Sequence, residues 1–258
     1  MQILCNVRGN PPVIAVDRLS KSYGDFAAVC DLSFTVQPGE IVGLVGANGA
    51  GKTTTLRAIT GILRPTTGTI RVSGHDIEQE PVAAKQQFAY IPDTVHPYDL
   101  LTVTEHLHFV ALAYRMENAE AKYAALLDEL ELADKKDETA SNLSRGMLQK
   151  LSLACAFLRN PRVVILDEPL TGLDPRGIRN IKESVRRRAA AGVAFLLSSH
   201  LLGLVEALCH QVLILHRGQR IAFGALEEIR RLATLHADAS LEEVFFAVTE
   251  KSNAPVVS

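Results

Sequence analysis

Residues 41–54, Ile41-Val42-Gly43-Leu44-Val45-Gly46-Ala47-Asn48-Gly49-Ala50-Gly51-Lys52-Thr53-Thr54, pass from an apolar run through a glycine-rich turn into the start of a helix. That order reads as a phosphate-binding loop. Glycines at Gly46, Gly49 and Gly51 permit backbone angles that a side chain forbids, so successive N–H groups can converge on the oxygens of a polyphosphate. Lys52 reaches the β and γ phosphates, and Thr53 offers a hydroxyl to Mg²⁺, a hard cation that prefers oxygen ligands. The opening helix turns its unpaired N–H groups and positive dipole end to the same charge. A chance match at the four fixed positions is expected in on the order of 1% of chains of this length. The context lowers that further, because Leu56, Ile59 and Leu63 follow at helical spacing before Pro65.

Working outward, 258 residues with 47% hydrophobic content can bury a substantial core as one large domain or two subdomains. The formal net charge of −2 gives no overall attraction to nucleic acid or an anionic membrane, so neither is an expected partner except through a local patch. Cys5, Cys30, Cys155 and Cys209 are scattered without the paired spacing of a zinc or redox site, and are read as reduced, packed thiols of a cytosolic protein. No apolar run approaches the roughly 18 residues of a membrane span, and Met1 to Asn10 lacks the features of a signal peptide. The expectation is an intracellular chain that something else carries to any membrane.

Upstream and just downstream of the loop, Val13, Ala15, Phe34, Val36, Ile70 and Val72 alternate with polar residues, which predicts a partly antiparallel sheet. Tyr23, in the turn Lys21-Ser22-Tyr23-Gly24-Asp25, is open to two readings, a packed or exposed loop residue and a platform for a purine. Phe88 to Ile91 reads as a short strand broken at Pro92 and followed by Asp93. Thr102-Val103-Thr104-Glu105 is a capping box that opens a helix, with Val103, Leu107, Val110 and Tyr114 on one face. His106 and His108, two apart, fall on different faces and do not suggest a metal site. Leu126, Leu127 and Leu130 mark a second helix, the charged stretch Asp134 to Glu138 a solvated connection, and Ser144 the start of a helix that runs through Met147, Leu151, Ala154, Cys155 and Leu158 to Asn160-Pro161.

Val163 to Leu166 is apolar at every position, as in a parallel strand covered on both faces, and ends at Asp167-Glu168-Pro169. Ligands of open α/β sheets collect at strand carboxyl ends, so these acids stand where a metal-bound triphosphate can meet them. A helix follows with Ile178, Ile181, Val185 and Ala189 inward and Lys182, Arg186, Arg187 and Arg188 on a solvated basic face. Val193 to Leu197 leads into Ser198-Ser199-His200, and Val212 to Leu215 is a further strand before Gly218 and the run from Arg220 to Phe223. The tail from Pro255 is too short to fold by itself.

In this order the motifs resemble the nucleotide-binding subunit of an ATP-binding cassette transporter over nearly the whole chain. The phosphate loop is followed by Leu143-Ser144-Arg145-Gly146-Met147, close to the family's Leu-Ser-Gly-Gly-Gln signature, then by Asp167-Glu168, Leu173-Asp174 and His200. The resemblance implies an α/β phosphate-loop ATPase core with an N-terminal antiparallel β subdomain and an inserted α-helical subdomain, all in one ABC ATPase domain. Its parts would be 13–76 (β subdomain with phosphate loop), 77–160 (Asp93 loop and helical subdomain with signature), 161–224 (the rest of the core) and 225–258 (C-terminal helical segment and tail).

The same resemblance implies the roles. Tyr23 matches the residue that stacks on adenine, while Gly46, Ala47, Asn48, Gly49, Ala50, Gly51, Lys52, Thr53 and Thr54 hold the phosphates of ATP. Asp167 matches the acid that supports Mg²⁺, Glu168 the general base and His200 the switch histidine at the γ-phosphate. Ser144 and Gly146 would close on the nucleotide of a second ABC ATPase subunit, with Asp174 crossing that interface. Two departures stand out. Asp93 replaces the family's usual glutamine, where a carboxylate can still ligate Mg²⁺ but adds negative charge beside the triphosphate. Arg145 and Met147 replace a glycine and the glutamine of the signature, and Arg145 either adds a cation near the phosphates or points into solvent. Together with Leu241 to Phe245, these variants are more similar to bacterial ATPases of export-type permeases than to importer ATPases. The expected setting is the cytoplasmic face of the cell membrane, bound to a multi-span permease. A non-transport ABC ATPase acting on ribosomes or DNA is the alternative, though tandem cassettes and a long coiled-coil insertion are absent. A nucleotide kinase or GTPase leaves Ser144 and His200 unexplained.

Overall fold

Ile14–Tyr23 (β1) and Phe26–Val36 (β2) pair antiparallel about a turn at Gly24, whose φ of +57° suits glycine. The computed structural model describes residues 10–236 and 238–253, so Cys5 and the tail from Pro255 lie outside the described residues. After β2 the chain leaves this sheet through Ile41–Val45 (β3) and Lys52–Ile59 (α1), then returns as Thr67–Val72 (β4), antiparallel to β1, and the edge strand His75–Asp76 (β5). The sheet order is β2-β1-β4-β5. Its inward phase on β1 differs from the alternation read in the sequence: Ile14 and Val16 are buried, Ala15 is half-buried and Val13 precedes the strand. Register decides this. Ile14 stands opposite Val36 and Val72, and Val16 opposite Phe34 and Ile70, and directly opposed residues share a face.

Pro81–Gln87 (α2) leads into Phe88–Ile91 (β6), and the helices Val103–Ala113 (α3), Tyr123–Glu129 (α4) and Arg145–Leu158 (α5) follow. Val163–Asp167 (β7), Pro175–Ala190 (α6), Ala194–Ser198 (β8), Leu202–Leu208 (α7), Gln211–His216 (β9), Gln219–Gly224 (β10), Leu226–Leu232 (α8) and Leu241–Asn253 (α9) complete the described chain. The second sheet has the order β10-β9-β3-β8-β7-β6, parallel except where β10 runs against β9. The strand that precedes the phosphate loop thus belongs to the parallel sheet, and so does β6.

Alternate residues of an all-apolar strand face opposite layers, and both layers are present. Ile41, Val164, Phe195 and Val212 pack with Leu107, Leu151, Ile181 and Val205 on one side. Val42, Val163, Leu196 and Leu213 pack with Leu56, Ile59, Phe34 and Val16 on the other, so the antiparallel sheet covers that face. Close approach sets one residue of β3: a Cβ on Gly43 would stand 2.4 Å from Val205 Cγ1 of α7.

The capping box of α3 is formed, with Glu105 N–H donating to Thr102 Oγ1 at 3.2 Å and Thr102 N–H to Glu105 Oε2 at 2.7 Å. Val103 and Leu107 are buried, as their spacing predicts. Tyr114, placed on the same face by spacing, instead ends the helix about half exposed and holds the Arg159 guanidinium 3.7 Å from its ring centroid. His106 is a buried packing residue whose Nε2 accepts the Tyr98 N–H at 3.0 Å. On the basic face of α6, Arg186 and Arg187 are exposed as the solvated reading has it, and Arg188 departs from it. Arg188 turns inward over the Phe157 ring and meets Glu129 of α4 at 2.5 Å, with Arg187 on the same carboxylate at 2.9 Å.

Candidate functional site

The phosphate loop is shaped by contacts that exclude side chains. A Cβ on Gly46 would lie 2.6 Å from Leu215 O, and one on Gly51 would lie 2.6 Å from Ala28 O at a φ of +100°. Gly51 is also the residue before α1, so the loop delivers its N–H groups at that helix start. Lys52 is 8% exposed and folds back over the loop, donating to Gly46 O at 2.7 Å and Ala47 O at 3.3 Å. Burial pushes its ammonium below the ordinary lysine range, and the Glu168 and Asp167 carboxylates offset part of that shift.

Opposite the loop, β7 ends at Asp167 and β8 at Ser198, paired in parallel register. Ser198 Oγ donates to Asp167 Oδ1 at 2.5 Å, and Thr53 Oγ1 donates to the same oxygen at 3.4 Å. Glu168 has a φ of +50°, in a left-handed region costly for a residue with a side chain. Its N–H donates to Ser198 Oγ at 3.1 Å, and its Oε2 lies 2.8 Å from His200 Nδ1 and 3.3 Å from the His200 backbone nitrogen. Sequence reading quoted Ser198 without giving it a role. The signal available was a lone hydroxyl ending an apolar strand next to the one that ends in Asp167.

A cavity of about 360 Å³ gathers Tyr23, Asn48 to Thr54, Asp93, Asp167 and Glu168, with Phe26 beside Tyr23 as a residue that sequence reading missed. Tyr23 is about half exposed at the end of β1. His200 reaches the cavity through Glu168 and itself lines a neighbouring cleft. Ser144, Gly146 and Asp174 stand outside the cavity. Ser144 Oγ caps α5 by accepting the Met147 N–H at 3.3 Å, and Asp174 caps α6 by accepting the Gly177 N–H at 2.9 Å. The two caps are neighbours, because a Cβ on Gly146 would lie 3.0 Å from Gly172 O. Arg145, whose position was open, pairs with Asp93 at 4.0 Å.

A cradle of donors facing hydroxyl and carboxylate oxygens on neighbouring strand ends is the chemistry of the phosphate-loop nucleoside triphosphatases. The family can be stated more narrowly. Residues 29–171 match the family described as ABC transporter, and the chain belongs to it. It is 36% identical over 241 residues to the ABC-type transporter ATP-binding protein EcsA of Bacillus subtilis (strain 168), covering 93% of this chain and 97% of that protein. It is 41% identical over 214 residues to the Nod factor export ATP-binding protein I of Paraburkholderia xenovorans (strain LB400), covering 82% of this chain and 70% of that one. Among solved structures, an ATP binding subunit of an ABC transporter superposes with a TM-score of 0.88 at 38% identity, over 92% of this chain and 99% of that one. The chain is therefore an ATP-binding subunit of an ABC transporter, and an ATPase.

Proposed function

We propose that this cassette pairs with a second ABC ATPase subunit, identical or similar, and that the two close around two Mg·ATP to drive a separate multi-span permease in export. The observation that carries the two-subunit reading is the position of Ser144 and Gly146, outside the cavity of their own chain and at the start of a helix suited to an anion. Thr53 and Asp167 put a hydroxyl and a carboxylate oxygen together, with the Asp93 carboxylate on the same cavity, a donor set that fits Mg²⁺. When bound, the ion neutralises charge on the β and γ phosphates.

The roles of the chain's own groups follow. Tyr23 lies under the adenine, and residues 46–54 cradle the phosphates with Lys52 on the β and γ oxygens. Glu168 polarises the attacking water, held in place by His200, which also faces the γ-phosphate. Positioning and charge neutralisation supply most of the acceleration of phosphoryl transfer to water. Asp174 crosses to the second subunit. Among the described residues no helix is long and apolar enough to cross a membrane. On this reading the permease holds the subunit at the cytoplasmic face of the cell membrane, as it does for the family. Its contact is the cleft lined by Val95, Tyr98, Phe109, Val110 and Tyr114, because the 91–97 loop that lines this cleft also carries Asp93 into the nucleotide cavity. Export is supported by the Nod factor export proteins among the relatives.

The test is a pair of variants with direct nucleotide binding and turnover. Glu168→Gln should keep Mg·ATP affinity and lose at least about 100-fold in turnover. Full activity in that variant removes the assigned base. Lys52→Ala should lose affinity, and unchanged affinity counts against the phosphate loop. Purification of the tagged chain from gently solubilised membranes with ATP should recover a multi-span protein, whereas ribosomes without one would redirect the same ATPase chemistry.

A further inference from the structure

Three carboxylates, Asp93, Asp167 and Glu168, line the nucleotide cavity, and among the described residues the one cationic side chain in its lining is Lys52. Two of the acids have partners there, since Asp167 is held by Ser198 and Glu168 by His200. The third is answered from outside. Arg145 Nη2, on the first residue of α5, lies 4.0 Å from Asp93 Oδ1. The arginine stem is placed by a second contact. A Cβ on Gly172 would stand 3.2 Å from Arg145 Cδ and 3.5 Å from its Cγ, and Gly172 has a φ of +83° that disfavours any side chain. Arg145 therefore lies over the 172 segment and extends to the loop after β6. These residues are also the two positions where the motifs of this chain depart in charge from the pattern that it otherwise resembles.

We propose that Arg145 is a positioning residue for the nucleotide site of its own chain: it neutralises Asp93 and fixes the loop after β6 to the first turn of α5. The inference rests on the reading of this cavity as the Mg·ATP site. Without the guanidinium, the Asp93 carboxylate adds its full negative charge beside the triphosphate, offset only by whatever the bound ion supplies, and Mg·ATP binding weakens. Arg145 then acts on nucleotide through Asp93, whereas an arginine serving the phosphates of the second subunit would act without regard to residue 93.

A double-mutant cycle on the full chain separates the two, with Mg·ATP affinity read by calorimetric titration and KM and kcat read from turnover. Arg145→Gln should weaken Mg·ATP binding about two- to fivefold, the range of an exposed ion pair, with the loss in KM and kcat near that of the unmodified chain. Arg145→Lys should recover most of the affinity. Asp93→Asn/Arg145→Gln should bind no more weakly than Asp93→Asn alone, and the effect of Arg145→Gln should shrink in concentrated salt. The inference is overturned if Arg145→Gln binds like the unmodified chain, if its loss persists in the Asp93→Asn background, or if Arg145→Lys behaves as Arg145→Gln. A failure of the unmodified chain to bind Mg·ATP would overturn instead the reading on which the inference rests.

Discussion

Asp167 is 2% exposed, and a carboxylate so deeply buried needs hydrogen-bond donors to replace the water it has lost. Ser198 supplies one of those donors at 2.5 Å and accepts the Glu168 N–H at 3.1 Å through the same oxygen. One hydroxyl thus fixes both acids, including a Glu168 backbone held in the left-handed region. Ser198→Ala removes this bridge without adding bulk. The expected result is a loss of about 10- to 100-fold in ATP turnover, the range for partners that orient a metal-supporting acid, measured against a melting curve showing that the variant is folded. Turnover like that of the unmodified chain would mean that Asp167 and Glu168 keep their geometry unaided. The acids themselves were legible in the sequence, because an apolar strand ending in Asp-Glu announces them. Ser198 was not, since its role arises from the register of β7 on β8 and a sequence does not state which strands are neighbours. Asp93 and Arg145 were each legible as departures, but their pairing was not, for the same reason.

The elements show a similar division between local and distant causes. Caps and periods are local, so the starts of α3 and α5 at Thr102 and Ser144 follow from the sequence. The phase of β1 and the face of Arg188 depend on partners distant in the chain. Arg188 reads as solvated on α6 alone, yet Glu129 at the end of α4 draws it over Phe157, and Ser184 Oγ also bonds the Glu129 carboxylate. The pair is about 80% shielded, with side-chain exposures of 19% and 20%, so Glu129→Ala leaves a largely buried guanidinium without its carboxylate. A loss of about 2 kcal/mol is expected, below the full range for buried pairs because water still reaches it, and a urea titration measures it. Arg188→Met in that background should recover part of the loss. Burial raises the Glu129 carboxyl, but bonds from Arg188 and Ser184 and the charges of Arg188 and Arg187 outweigh it and leave the group below its ordinary 4.5. A depressed folded value means that this stabilisation is complete above about pH 4.5 and is lost as pH falls through the folded value. Glu129→Ala should therefore flatten the acid limb of the stability profile, and an unchanged limb would assign that limb to other carboxylates.

At the scale of the whole molecule, the parallel sheet sets the distances that matter. Its strand ends bring the phosphate loop, Asp167 and Glu168 into one cavity, while Ser144, Gly146 and Asp174, at the starts of α5 and α6, stand outside its lining. On the proposed two-subunit reading, a second copy or a close relative completes the site, and a two-fold arrangement then makes two sites from four halves. Complementation tests this directly in the case where two identical chains pair. Lys52→Ala spoils the cavity and keeps the signature residues. Ser144→Arg spoils the signature and keeps the cavity, at a cost of about 1 kcal/mol from the lost cap. Each variant alone should hydrolyse ATP only at background rate. Mixed in equal amounts, half of the dimers pair one of each, and each mixed dimer has one intact site of two, so about a quarter of the full turnover should return if the sites work independently. The returning activity should rise with the square of total protein when dilute, as pairing requires. No recovery in the mixture, with each variant shown to be folded, would mean that cavity and signature serve each other within one chain or that a different subunit supplies the second half. Adding an unmodified candidate partner to the Ser144→Arg chain distinguishes these, since only a true partner restores turnover to its intact cavity.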